Sequence, residues 1–158
     1  MKIAIIGAGN MGGAIARGLA KGTAVSTADI IVTNPSTPKL DALKAEFPEM
    51  QVSTDNAAAA AADLVIVAVK PWKVEEVLVP LKLGNPQMLV SVAAGVTFDD
   101  LSRYAAPDMP MFRVIPNTAI SQLASMTLVA ARNATPAQTE EVLVMFNEMG
   151  MSMLLDES

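Results

Sequence analysis

Six residues near the N-terminus, Gly7-Ala8-Gly9-Asn10-Met11-Gly12, have the spacing G-x-G-x-x-G, and Gly13 follows them. They come after an apolar run at 2–6 and open a stretch whose apolar residues, Met11, Ala14, Ile15, Leu19 and Ala20, have helical spacing. A buried strand, a glycine turn and a helix in that order can bind the pyrophosphate of a dinucleotide. Gly7 permits the tight turn. Gly9 has no side chain to hold phosphates away from the backbone. Gly12 lets the helix pack closely on the strand. The helix N-terminus then offers free N–H groups and the positive end of its dipole. The same glycines could form a strand–helix turn that binds nothing, but their place in a βαβ unit favours a ligand.

The end of the second strand selects between the two common dinucleotides. An Asp or Glu that would bind a ribose 2′-hydroxyl is expected about 20 residues beyond the glycines. This sequence has Val32-Thr33-Asn34-Pro35-Ser36-Thr37 there, with no acid. Asn34, Ser36 and Thr37 can hydrogen-bond a 2′-phosphate, and Lys39 is near enough in sequence to add positive charge. The reading is NADP(H), with NAD(H) as the less favoured cofactor. An ordinary polar turn that accepts both is the alternative.

Composition narrows the rest of the chemistry. The chain has 158 residues, about one domain's worth. Hydrophobic residues are 52% and charged residues 17%, enough for a core and unlike a disordered segment. The net charge of −5 makes nucleic acid or an anionic membrane a poor partner. There is no cysteine and no histidine. Thiol catalysis, Ser-His-Asp triads and His or Cys metal sites are therefore excluded. The apolar run at 2–6 is too soon broken by glycines to be a signal peptide. The uncharged stretch beyond Arg113 contains Pro116, Asn117, Ser121 and Gln122, which disfavours a membrane span. A soluble cytoplasmic protein is expected.

The elements that must position the glycine turn are legible as alternating strands and helices. Strands are predicted at 2–6, 29–33, around Val52, at 64–69, 88–92 and 111–115. Helices are predicted at 10–21, from Pro38 to Phe47, over the alanines 57–62, from Val74 to Leu81 with Gly84 as the stop, and from Thr97 to Tyr104. Residues 127–131 read as a further strand. Thr135 and Pro136 open a helix that Gly150 ends, and 151–155 reads as a last strand. The strands are continuously apolar, as in a parallel sheet covered on both faces. The expected fold class is α/β, a doubly wound, mostly parallel sheet of Rossmann type. Its single dinucleotide-binding domain spans 1–158.

Several segments together resemble pyrroline-5-carboxylate reductase. They are the glycine turn, Thr54-Asp55-Asn56 before the alanines, Ala68-Val69-Lys70-Pro71 after the fourth strand, Ser91-Val92-Ala93-Ala94-Gly95, and Arg113-Val114-Ile115-Pro116-Asn117-Thr118. The glycine motif alone is shared by many reductases, and the later segments carry the specificity. The resemblance implies that Gly7, Gly9, Asn10, Met11 and Gly12 hold the pyrophosphate. It implies that Asn34, Ser36 and Thr37 face the 2′-phosphate and that Asn56 bonds the adenosine ribose. Ala68, Val69, Lys70 and Pro71 would line the nicotinamide ribose. Ala94, Gly95, Pro116 and Asn117 would lie near the nicotinamide ring. Lys70 can equally be a solvated lysine after a strand, and Asn56 and Asn117 simple turn residues. Trp72 stands where the family usually has a polar residue, and it reads as a packing residue.

The activity implied by the resemblance is NADPH-dependent reduction of a cyclic imine carboxylate, 1-pyrroline-5-carboxylate, to L-proline. The cofactor carries the difficult chemistry, so the lack of histidine is no obstacle. No residue here is a persuasive proton donor, and no catalytic residue is assigned. The family also has a helical C-terminal domain with the substrate-carboxylate site and much of a homo-oligomer interface. Nothing in these residues resembles it, and the sequence is expected to be the cofactor-binding part of a longer chain. Two other readings compete: another NADP-dependent imine or β-hydroxyacid reductase, and a stand-alone NADP(H)-binding module.

Overall fold

The computed structural model describes residues 1–116 and 126–157. Strand β1 (Ile3–Ile6) is wholly buried. It lies between β2 (Ile30–Thr33) and β4 (Leu64–Val67), and its four residues pair in parallel with both. β3 (Gln51–Ser53) extends the sheet beyond β2. β5 (Met88–Ser91) and β6 (Met111–Pro116) extend it beyond β4, also in parallel. β7 (Met126–Arg132) pairs antiparallel with β6 and closes that side. The order is β3-β2-β1-β4-β5-β6-β7. The order reverses between β1 and β4, so the chain leaves β1 toward one edge and later returns to build the other. This is the doubly wound, mostly parallel sheet expected from the apolar strands.

The side-chain alternation of a strand sends residues to two separate cores. Ile3 and Ile5 join Ile15, Leu19, Leu40, Leu43, Phe112 and Phe146 on one face. That face is covered by α1 (Asn10–Lys21), α2 (Pro38–Glu46) and α5 (Pro136–Glu157). Ala4 and Ile6 join Val65, Val67, Val74, Leu78 and Leu101 on the other. There α3 (Val74–Leu78) and α4 (Phe98–Tyr104) cover the sheet. Thr97 and Asp100 form a reciprocal capping box at the start of α4, as the Thr97 cap predicts.

Three expected elements differ. The alanines 57–62 form only a short 3₁₀ turn, Asn56–Ala59, begun by the Asp55 side chain on the Ala57 N–H. The chain must pass from β3 across β2 and β1 to β4, about 14 Å of strand spacing. The 3₁₀ form gains about 2.0 Å per residue against 1.5 Å for an α-helix, so it covers that distance with fewer residues. The helix at 74–81 is α only to Leu78. Pro80 has no N–H for an α-helical bond, and a 3₁₀ turn, Val79–Leu81, follows and ends at left-handed Lys82 (φ 52°) rather than at Gly84. The strand expected at 151–155 is instead the end of α5, which runs through Gly150 to Glu157. A helix-interior glycine costs about 1 kcal/mol. Burial of Val142, Met145, Phe146 and Met149 on one stripe outweighs that. No described helix is long and apolar enough to cross a membrane.

α5 is also held to the end of α1 by charge. The Glu148 carboxylate accepts hydrogen bonds from the backbone N–H groups of Thr23 and of Ala24 (3.2 Å). A Cβ on Gly22 would lie 2.8 Å from Glu148 Oε1, so only glycine admits this approach without displacement. The Thr23 bonds, aided by Ala24, hold the Glu148 carboxyl below its ordinary value of 4.5. A carboxyl with a lowered folded-state pKa stabilises fully above its unfolded-state value and loses that contribution as pH falls through the folded-state value. Glu148→Gln is therefore expected to lower the urea midpoint at neutral pH. It should also reduce the further loss that the unsubstituted chain shows on acidification below the carboxylate range.

Candidate dinucleotide site

Parallel pairing sets the C-terminal ends of β1, β2, β4 and β5 side by side, and the expected site residues lie just beyond them. β1 hands over to Gly7, whose φ of +106° suits glycine alone. The Gly7 N–H donates to the Thr33 carbonyl (2.8 Å), continuing the ladder to β2. The opposite side of Gly7 faces β4. A Cβ there would lie 2.7 Å from the Ala68 carbonyl oxygen and 3.1 Å from Val69 Cγ1. A Cβ on Gly12 would run into the Gly7 carbonyl. Two of the glycines are thus required by backbone packing.

Gly9 differs from both. Nothing lies within 4 Å of a Cβ built on it, and the residue is exposed. It is the N-cap of α1, and no side chain caps that helix. No acid lies in the first turn, and the Gly13 N–H begins the intrahelical bonds at the Gly9 carbonyl (2.8 Å). The amides ahead of it have no carbonyl partner within the helix. Asn10 is exposed beside them and Met11 half-buried. An exposed, uncapped helix start with open space over a glycine is a cradle for an anion. This fits the pyrophosphate of a dinucleotide.

The neighbouring turns complete a continuous rim. Asn34 Oδ1 accepts from the Ala8 N–H (3.0 Å), which ties the β2–α2 turn to the glycine turn. The exposed Ser36 and Thr37 follow. Asn56 is drawn to β2 by the Thr33 hydroxyl, which donates to its Oδ1 (2.8 Å). Ala68 and Val69 are half-buried against Gly7, and Lys70 and Pro71 are exposed. Ala94 and Gly95 (φ +78°) are exposed beyond β5, and Pro116 ends β6. Asn117 lies outside the described residues. Among the described residues no group of acids could hold a metal ion.

Two positioning residues escape the sequence reading. Thr33 orients Asn56, and Ser91 Oγ accepts from the Ala93 N–H (3.3 Å) at the turn leading to Ala94. Both are buried hydroxyls at the end of an apolar strand. That lone polar residue in an apolar run is the signal that could have found them. Trp72 is a correction: it is 75% exposed, not packed. The 3₁₀ turn Pro71–Lys73 carries it outward, beside Glu75, Glu76, Val79 and Pro80 on the surface.

Residues 2–95 match the family model described as NADP oxidoreductase coenzyme F420-dependent. The chain belongs to this family. Its glycine turn, Asn34, Asn56 and the turn after β4 all fall inside the matched residues. The chain is also similar to the pyrroline-5-carboxylate reductase of Escherichia coli (strain K12), at 36% identity over 159 aligned residues. That alignment covers 99% of this chain and 59% of the relative. The chain therefore spans about three fifths of the length of that relative. Among solved structures it is similar to a pyrroline-5-carboxylate reductase from Coxiella burnetii. The TM-score is 0.83 at 30% identity, covering 94% of this chain and 56% of the other. It shares its fold with Plasmodium falciparum pyrroline carboxylate reductase with NADP bound, at TM-score 0.77 and 21% identity. That alignment covers 95% of this chain and 55% of the other.

The glycines of this family member make separable predictions. Gly12→Ala forces a side chain onto the Gly7 carbonyl and is expected to destabilise the fold by about 3 kcal/mol, the upper end of overpacking costs. Gly9→Ala meets no atom and should stay within about 1 kcal/mol of the unsubstituted chain, the scale of a lost helix cap. Thermal and urea denaturation of the two variants would check the contrast.

Proposed function

We propose that this chain is the cofactor-binding part of an NADPH-dependent pyrroline-5-carboxylate reductase. The observation that carries the reading is the uncapped start of α1, opening over Gly9 at the point where the sheet order reverses. In open α/β sheets that point is where ligands bind. The alignment with a pyrroline-5-carboxylate reductase along 99% of the chain supports the choice of reaction. The NADP in the Plasmodium falciparum structure supports the choice of nucleotide.

The residues divide the nucleotide between them. Gly7 and Gly12 shape the turn, and Gly9, Asn10 and Met11 meet the pyrophosphate. Asn34, Ser36 and Thr37 form the side that takes the 2′-phosphate, where no acid repels it. Asn56 has its oxygen engaged by Thr33, which leaves its amide hydrogens for the adenosine ribose. Ala68, Val69, Lys70 and Pro71 flank the nicotinamide ribose. Ala94, Gly95, Pro116 and Asn117 border the ring. When bound, NADPH supplies the hydride that reduces the imine carbon of 1-pyrroline-5-carboxylate, and the nitrogen is protonated to give L-proline. The chain's own part is orientation: it holds the reactive ring at one place beyond β5 and β6. Recognition of the substrate carboxylate, and assembly into a homo-oligomer, belong to the length of the relatives that this chain does not span. The compartment we propose for the reaction is the cytoplasm.

Calorimetric titration of the chain with NADPH and with NADH at one salt concentration tests the nucleotide. NADPH is expected to bind at least about tenfold tighter, the scale of one added charge-assisted contact. Preference for NADH would overturn the 2′-phosphate side, and binding of neither would overturn the site. Loss of NADPH absorbance with 1-pyrroline-5-carboxylate should require a chain as long as the relatives. Normal turnover by residues 1–158 alone, or a preference for a β-hydroxyacid in a substrate panel, would overturn the proposed division or the proposed substrate.

A further inference from the structure

Asn34 links the two phosphate-facing parts of the rim, and the direction of its hydrogen bonds is fixed. Its Oδ1 accepts from the Ala8 N–H (3.0 Å), inside the glycine turn. Its Nδ2 donates to the Ser36 carbonyl (3.2 Å) and to Ser36 Oγ (3.3 Å). A backbone N–H can only donate, so Ala8 determines which end of the carboxamide faces the glycines. The NH₂ end is thereby turned toward Ser36. A serine hydroxyl that accepts a hydrogen bond keeps its own proton for a different acceptor. Ser36 is exposed, beside exposed Thr37, so solvent or a ligand can take that proton.

We propose that Asn34 is a positioning residue that sets the choice between the two dinucleotides. It holds Ser36 Oγ as a hydrogen-bond donor for a phosphate monoester on the adenosine ribose, and does not touch the nucleotide itself. The inference rests on the nucleotide site proposed above. Its chemistry depends on an amide being at this position. A carboxylate at 34 would still accept from Ala8, but it has no hydrogen to offer Ser36. The Ser36 hydroxyl would then donate inward, and its lone pairs would face the phosphate. One functional group, NH₂ against O⁻, thus reverses the polarity of the hydroxyl next to it while leaving the glycine turn intact. The Ala8 bond also means that the pyrophosphate cradle and the 2′-side are held by a single side chain.

The test is a double-mutant cycle read as a ratio. Dissociation constants for NADPH and for NADH are measured on the chain as it stands and on Ser36→Ala, Asn34→Ala and the double variant. Ser36→Ala is expected to reduce the preference for NADPH by about tenfold, the effect of one hydrogen bond to a charged group. Asn34→Ala should reduce it similarly, and the double variant no further, because both act through the same hydroxyl proton. An unchanged NADPH:NADH ratio in Asn34→Ala, with both nucleotides weakened alike, would overturn the proposal and leave Asn34 a structural tie. Independent losses that multiply in the double variant would also overturn it, since Asn34 would then contact the nucleotide directly. Should Asn34→Ala fail to fold, Asn34→Asp retains the acceptor for Ala8 and serves in its place. It is measured with and without Ser36→Ala, since its charge alone would repel a 2′-phosphate: a smaller loss of NADPH preference in the Ser36→Ala background is expected, and equal losses in both backgrounds would overturn the proposal. An unsubstituted chain that binds neither nucleotide would remove the functional reading and this inference together. One that prefers NADPH, with the preference unchanged in the Asn34 variants, removes this inference alone.

Discussion

The arrangement depends on the contact between the start of α1 and the turn that leaves β1. Gly12 lies against the Gly7 carbonyl so closely that no Cβ fits, and Gly7 in turn lies against the Ala68 carbonyl beyond β4. These approaches bring the helix N-terminus directly over the ends of the central strands. With larger residues the helix would ride outward. Its free amides would then no longer converge on the place where the sheet order reverses. Ile15 and Leu19 extend the same contact into the core, alongside Ile3, Ile5 and Phe146. The position of the anion cradle is therefore a consequence of core packing, and the two cannot be varied separately.

Around that contact the rim is wired by short polar links. Gly7 reaches Thr33 by backbone, Ala8 reaches Asn34, and Thr33 reaches Asn56. Each link joins the end of one strand, or the turn that follows it, to the end or turn of its neighbour. The turns would otherwise be independent loops with their own freedom, and their ordering on ligand binding would weaken affinity. Here much of that ordering is already present in the protein. The opposite end of α1 is held by a different device, the Glu148 carboxylate on the amides of Thr23 and Ala24. α1 is thus fixed at both ends, by close packing at one and by charge-assisted hydrogen bonds at the other.

Trp72 stands apart from this economy. A large aromatic side chain, 75% exposed at the mouth of the β4 turn, gains nothing from the core. Its exposure follows from Pro71, which begins a 3₁₀ turn too short to bring the next residue back onto the sheet. The apolar run of the preceding strand gives no hint of this. A residue's burial after a strand end is decided by the direction in which the turn leaves the sheet, and the apolar pattern of a strand carries no record of that direction.

Much of the candidate site could be read from residue order because its determinants are local. The glycine spacing, the apolar run before it and the missing acid near Asn34 all lie within a short stretch, and each acts through backbone geometry or charge at its own position. Continuously apolar strands likewise announce a sheet buried on both faces, since only such a sheet can hide them. Other features depended on distance and direction between segments remote in sequence. Alanines 57–62 have high helix propensity, yet the span from β3 to β4 leaves them one 3₁₀ turn. Gly150 reads as a stop, yet the stripe from Val142 to Met149 carries α5 through it. Asn34 reads as a ligand for phosphate, and only the fold shows its oxygen committed to Ala8 and its amide to Ser36. The sequence by itself determined the fold class and the glycine turn, because propensity, patterning and backbone freedom are properties of neighbours. Tertiary structure alone decided the element lengths, the exposure of Trp72 and the direction of each polar group on the rim. Those follow from which surfaces meet, and a hydrogen bond has no direction until both of its partners are in place.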